Sequence, residues 1–254
     1  KQDRIAADGL VDIMLTEDGK TAAMIEVNSE TDFVAKNESF GEFVKGLLRT
    51  ILANRPASVD ELMKLDFDGK GITVEDELKD KTFVIGEKLS IRRFVIVEGA
   101  LNTYIHGKGT TGVIIKMNAS DEIAGSEKFA ECSKNIALQI AAMAPAYTAK
   151  EDVPASVIEE EKSVLIAQIK ADPKNASKPE QIIEKMVTGR VGKFYEKNCL
   201  TEQAYVKDDS MSVGQYVESV AKELGAPLSI HSFVMFEKGE GIEKREDNLG
   251  DEVA

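Results

Sequence analysis

The chain has 254 residues and a formal net charge of −13, which opposes general binding to a phosphate backbone and leaves only a local basic patch open. Apolar residues make up 43% and charged residues 30%, enough for a real core under a soluble surface. Two His and two Cys all but exclude a His-rich or Cys-rich metal site, and no apolar run reaches membrane-spanning length. Cys132 and Cys199 read as free thiols of a reducing compartment. The chain opens on Lys1, without Met or a signal-like apolar stretch, so a processed or missing N-terminal part is expected.

In chain order, the first element is a strand within Gly19–Asn28, an apolar, β-branched-rich run closed by Asn. It recurs as Gly109–Asn118, 90 positions on. An amphipathic helix with a Pro stop, Phe40–Ala57, recurs as Phe129–Ala146, 89 positions on. This internal repeat predicts two homologous subdomains. Between the copies, Ile91 and Phe94–Val97 form a strand, and Ala100–Ile105 is expected to return as its hairpin partner. Each subdomain is then a small antiparallel sheet with helices, an α+β fold.

From about 154 to 197 the pattern turns helical. Val157, Ile158, Val164, Leu165 and Ile169 mark one stripe; Ile182, Ile183, Met186, Val187 and Phe194 mark another. Asp172–Pro179 separates them, and Ser177 with Glu180 forms a capping box with Pro179 in the first turn. The expectation is an antiparallel helical hairpin projecting from the body. Ser212 and Gln215 cap a helix through Leu224, Ser229–Phe236 is a last strand, and Gly239–Gly241 turns into an acidic tail. The expected boundaries are 1–9, 10–106, 107–236 and 237–254.

Enzyme motifs fail. No phosphate loop or nucleophile elbow is present, and Gly107–Gly112 precedes a strand, so it reads as a hairpin turn. His106 and His231 have no carboxylate nearby in sequence, and no acid/base pair stands out. The anomaly is Asn28–Lys36, which joins strand to helix in the first copy and carries Phe33 where the second has Ile123. Phe33 is either a protruding anchor or part of the local core, and the usual burial of Phe favours the core.

Met24–Asn37, which contains Thr-Asp-Phe-Val-Ala-Lys, resembles the signature of the bacterial-type elongation factor Ts family. Gly86–Arg93, Asn135–Ala142, Glu184–Arg190 and Phe236–Lys244 are similar to its other motifs, and the resemblance spans essentially the whole chain. Lys1–Gly9 looks like only the end of the family's small N-terminal module. The resemblance implies a guanine nucleotide exchange factor for elongation factor Tu, GDP-bound or nucleotide-free, with no covalent chemistry, cofactor or metal. It assigns Thr31, Asp32, Phe33, Val34 and Lys36 to an exchange wedge and so reverses the reading of Phe33. Thr111, Gly112 and Gln139 carry over as further contact positions, with Thr111 replacing an aliphatic residue and Gln139 a His. Arg92 and Arg93 read as a solvated or ion-paired strand face and stay outside the site. Cytoplasm or an organelle matrix is implied, with no direct nucleic-acid or membrane partner, and self-association through the hairpin is open. The rival reading is a translation-associated scaffold of the same fold without exchange activity.

Overall fold

A computed structural model describes residues 4–243. In chain order it contains β1 (Asp8–Leu15), β2 (Thr21–Ser29), α1 (Asp32–Ala35), α2 (Glu38–Asn54), α3 (Val59–Lys64), α4 (Val74–Ile85), β3 (Ser90–Glu98), β4 (Ala100–His106) and β5 (Thr111–Asn118). There follow α5 (Asp121–Ala124), α6 (Glu127–Met143), α7 (Ala155–Ala171), α8 (Glu180–Asn198), β6 (Ala204–Tyr205), β7 (Asp208–Ser212), α9 (Val213–Leu224) and β8 (Ser229–Glu237). The fold is α+β. One unit runs to Lys116 and resumes at Phe233; the other holds Met117–Ser232. The acidic tail expected after Gly241 lies, from residue 244 on, outside the described residues.

In the first unit, β2 is central to an antiparallel sheet ordered β1-β2-β3. All nine of its residues are buried. Alternation sends Ala23, Ile25 and Val27 into a core with Phe40, Phe43, Leu47, Leu48 and Ile51 of α2. It sends Ala22 and Met24 to the opposite face, against Leu101, Ile114 and Phe236. Both faces being covered explains why the strand reads as a continuous apolar run. On the helical side Gly46 is a packing requirement, since a Cβ there would stand 2.4 Å from the Phe67 ring.

The expected β3–β4 hairpin does not form. β3 pairs with β2, whereas β4 belongs to a separate sheet ordered β4-β5-β8. Gly99 causes the difference. Its φ of 139° lets the chain leave one sheet at Glu98 and enter the next at Ala100. The turn after His106 does join adjacent strands, β4 and β5, as expected.

The repeat is structural. α1 and α5 are both single turns, and α2 and α6 are both 17 residues long. Asn37 and Ser126 cap the N-termini of the long helices with their side chains. Both helices end on left-handed non-glycine residues, Arg55 at φ 50° and Ala144 at φ 44°. A shared, sterically unfavourable stop at matched positions goes beyond what helix periodicity explains.

In the second unit, α7 and α8 pack on each other through Leu165, Ile169, Ile183, Val187 and Val191. Val164 and Ile182, expected in the stripes, are exposed. The Ser177–Glu180 capping box is also absent, because Pro179 itself is the N-cap of α8 and has no side-chain cap bond. The Ser212–Gln215 box forms in both directions.

Glu26 is the costly residue of β2, a fully buried carboxylate inside an apolar strand. It accepts from Arg93 Nε at 2.7 Å, Arg92 at 3.1 Å, the Asn28 amide at 3.0 Å and the Gly239 N–H at 2.8 Å. Arg93 also lies over the Phe236 ring, 4.1 Å from its centroid. Burial pushes the Glu26 carboxyl up, but the Gly239 N–H, the Asn28 amide and the Arg93 guanidinium outweigh it and hold it below the ordinary glutamate range. A depressed carboxylate stabilises the fold above its unfolded pKa and loses that contribution as pH falls through the folded pKa. Glu26→Gln should therefore lower stability by roughly 1–3 kcal/mol at neutral pH. In denaturant titrations at stepwise lower pH, the gap between wild type and variant should narrow.

Candidate functional site: the turn after β2

β2 ends at Ser29, and the chain must leave the sheet there and enter α2 at Glu38. The seam is tightly bonded. Ser29 Oγ donates to the Thr31 carbonyl at 2.8 Å. The Glu30 and Thr31 N–H groups donate to Glu87 Oε2 at 3.0 and 3.1 Å, and Thr31 Oγ1 donates to Glu87 Oε1 at 2.6 Å. One carboxylate thus fixes two backbone amides and a hydroxyl. Thr31, at the N-cap of α1, makes no side-chain cap bond, its hydroxyl being turned to Glu87.

Glu87 is held in turn by the end of α4. Gly86 caps that helix in the left-handed region at φ 80°, its N–H donating to the Thr82 carbonyl at 2.9 Å. The chain then reverses and presents Glu87 to the seam. Beyond α1, Asn37 N–H donates to the Val34 carbonyl at 3.0 Å, and the Asn37 side chain accepts from Ser39 N–H at 2.8 Å. Both ends of the α1 turn are therefore anchored.

Within this frame the wedge residues separate cleanly. Val34 is half-buried against the core. Phe33 is 80% exposed, so the reading of Phe33 as a core residue fails. Val34, with the half-buried Ala35 beside it, takes the inward side of the turn and leaves Phe33 on the outer side. Asp32 and Lys36 are exposed and form an i,i+4 ion pair at 3.6 Å. At such exposure that pair contributes little to stability, and both groups stand beside Phe33 on the surface.

The other expected contact residues are placed differently. Thr111 is buried at the start of β5. A Cβ on Gly112 would lie 2.6 Å from Val11 Cγ1 and 2.8 Å from Met24 Sδ, so close packing demands glycine there. Gln139, in the other unit, is fully buried. Its Nε2 donates to Gln203 Oε1 at 3.2 Å and to the Ala204 carbonyl at 3.1 Å, and its Oε1 accepts from Val206 N–H at 2.9 Å. The amide bolts residues 203–206 to α6. These three residues support their own surroundings and are not gathered into an exposed patch.

Sequence reasoning missed Glu87, although Gly86-Glu87 opens a segment it singled out. An acidic residue directly after a left-handed helix stop was the available signal. No group of His, Cys, Asp and Glu suited to a metal occurs among the described residues, and no described helix is long and apolar enough to cross a membrane. Cys132 and Cys199 are free and buried, and burial pushes the Cys132 thiol up to about 11.

The family model described as elongation factor TS matches residues 30–240, from the Glu87-bound seam to the turn after β8. The chain belongs to the elongation factor Ts family. Elongation factor Ts of Clostridioides difficile strain 630 is 43% identical over 256 residues, covering 100% of this chain and 82% of the relative. That of Clostridium kluyveri is 41% identical over 259 residues and that of Syntrophotalea carbinolica 40% over 257, with the same coverage. The chain is thus a member of a bacterial family of translation elongation factors.

The seam carries its own test. Glu87→Ala removes three hydrogen bonds to a charged acceptor, each worth about 1.5–3 kcal/mol. Amide hydrogen exchange at Glu30 and Thr31 should accelerate at least about tenfold, while amides within β2 keep their protection. Unchanged exchange at both seam amides would mean that Glu87 does not hold the turn.

Proposed function

We propose that this chain is a guanine nucleotide exchange factor for elongation factor Tu. It docks on the GDP-bound form and inserts Asp32 and Phe33 into the GTPase domain. The elements that hold Mg²⁺ and phosphate are displaced, and GDP leaves. The observation that carries this reading is Phe33, 80% exposed on a turn clamped at both ends. A mobile Phe would lose conformational freedom on insertion. A clamped one has already lost most of it in folding, so more of its burial energy goes into the complex.

The magnitudes are consistent with the role. Burying one Phe side chain contributes about 1.5–3 kcal/mol, which is about one to two decades of affinity. If that contact forms only once the nucleotide site has been distorted, its full worth is set against GDP binding. Linkage is reciprocal, so GDP weakens the exchange factor's affinity by the same factor. No covalent bond is made or broken, and the wedge acts only by differential binding to two states of its partner. Thr31 orients the turn through Glu87, Val34 seats it on the core, and Asp32 and Lys36 add charge beside the aromatic ring. Thr111, Gly112 and Gln139 act in this reading from inside the fold, by holding neighbouring surfaces in place.

The test is release of fluorescent GDP from elongation factor Tu. The chain should accelerate release strongly. Phe33→Ala should lower the maximal acceleration by about tenfold or more, with unchanged thermal unfolding because the side chain is exposed. Binding without acceleration by the wild-type chain would favour a scaffold instead. Full acceleration by the variant would remove Phe33 from the mechanism.

A further inference from the structure

Among the described residues, three large apolar side chains are more than three-quarters exposed: Phe33 at 80%, Phe83 at 84% and Val84 at 79%. Isolated surface apolar groups are ordinary, but adjacent ones beside another such group are not. Phe83 and Val84 lie in the last turn of α4. At 3.6 residues per turn, Val74, Leu78 and Ile85 share the face that packs on the core, and Phe83 falls on the opposite face. The fold therefore makes no use of Phe83. The rest of α4 is densely charged, with Glu75, Asp76, Glu77, Lys79, Asp80 and Lys81, so an exposed Phe-Val pair is also a break in local composition.

Two cross-links place the pair next to the wedge. Lys81 Nζ donates to Ser39 Oγ at 3.4 Å, and Glu87 binds Glu30 and Thr31. Phe83 and Val84 lie between residues 81 and 87 on one segment. Phe33 lies between 31 and 39 on the other. The two exposed apolar groups are thus bracketed by the same pair of contacts. The pair is also rigid, because it sits in a helical turn closed by the left-handed Gly86.

We propose that Phe83 and Val84 form a second apolar anchor for the protein that receives Phe33. The proposal rests on the exchange-factor reading, and its occupant is therefore elongation factor Tu. The argument for that occupant is continuity, since the pair is tied to the proposed wedge surface at both ends. Its part differs from that of Phe33. Phe83 and Val84 grip the partner equally whether GDP is bound or not. A contact with equal strength in two states raises affinity without shifting the balance between them. The pair therefore governs how tightly the complex forms, and Phe33 governs how far GDP is loosened.

The experiment uses the full chain and compares Phe83→Ser/Val84→Ser with Phe33→Ala. Both targets are solvent-exposed, and circular dichroism checks that each variant folds as the wild type does. Half-saturating concentration and maximal rate of fluorescent GDP release are measured with elongation factor Tu. The double variant should need about tenfold more protein for half-saturation and reach the wild-type maximal rate, a shift of about 1.4 kcal/mol. Phe33→Ala should lower the maximal rate. Wild-type half-saturation in the double variant, with Phe33→Ala still impaired, overturns the second anchor and leaves the wedge standing. Failure of the wild-type chain to bind elongation factor Tu overturns both readings. A double variant that loses only self-association in sedimentation, with exchange intact, assigns the patch to a second copy and also overturns the proposal.

Discussion

The first unit depends on the double burial of β2. A strand covered on both faces must satisfy everything it carries from its own sheet and its neighbours. It carries Glu26, so the fold has to supply charge and donors at that point. Arg92 and Arg93 of β3 supply them from one side, and Gly239 supplies a backbone N–H from the turn after β8. A residue near the end of the chain is thereby locked to one near its beginning. Gly239 sits at φ 78° with the Ala7 carbonyl 2.6 Å from where a Cβ would be, so that turn has little room for substitution. Arg92 and Arg93 also bond the carbonyls of Glu240 and Glu237. The same guanidinium groups thus neutralise the buried carboxylate and hold the returning segment.

The candidate site inherits its rigidity from this arrangement. β2 is fixed in register on both sides and ends at Ser29, and the α1 turn begins three residues later. The seam needs only one further support, and Glu87 supplies it from the end of α4. Exposure of Phe33 is then a property of the fold and not of a loose loop. Val34 and the half-buried Ala35 take the inward side of the turn, which leaves Phe33 facing out. The second copy of the repeat has the same layout. α5 has the same length and its own Ser120 cap, and counted from the caps its exposed Glu122 stands where α1 carries Phe33 and its half-buried Ile123 where α1 carries Val34. The pairing of Phe33 with Ile123 expected from the sequence is thus displaced by one residue, because the residue missing from the second copy falls before the turn. Both copies turn the third residue of the helix inward and the second outward, and only the first copy places an aromatic ring at the outward position.

Elements with strong local signals were legible in the sequence. The β2 and β5 runs, the two long helices with their Pro stops, the Ser212 box and the last strand all follow from periodicity and capping. Strand partnership was not legible, because β3 and β4 look like a hairpin and only a backbone angle at Gly99 sends them to different sheets. α3 and α4 went unread, although Ser58 and Thr73 each stand three residues before an acidic residue whose N–H they cap. Their apolar stripes are short and interrupted by charge, which hides a helix from a periodicity argument. That omission concealed Glu87 and the Phe83-Val84 pair. At the site itself, composition argued for burying Phe33, and only the motif around it argued otherwise. Burial preference averages over folds, whereas which side of a one-turn helix faces the core is a local geometric fact.

The central claim is that Phe33 converts binding energy into loss of nucleotide affinity. The measurement that tests it most directly is the coupling between the two ligands of elongation factor Tu. The chain's affinity for the partner is determined with and without saturating GDP, for wild type and for Phe33→Ala. The account predicts that GDP weakens wild-type binding strongly and that the coupling factor shrinks by about tenfold or more in the variant. An undiminished coupling factor in Phe33→Ala would contradict it, because nucleotide release would then be driven from elsewhere on the surface.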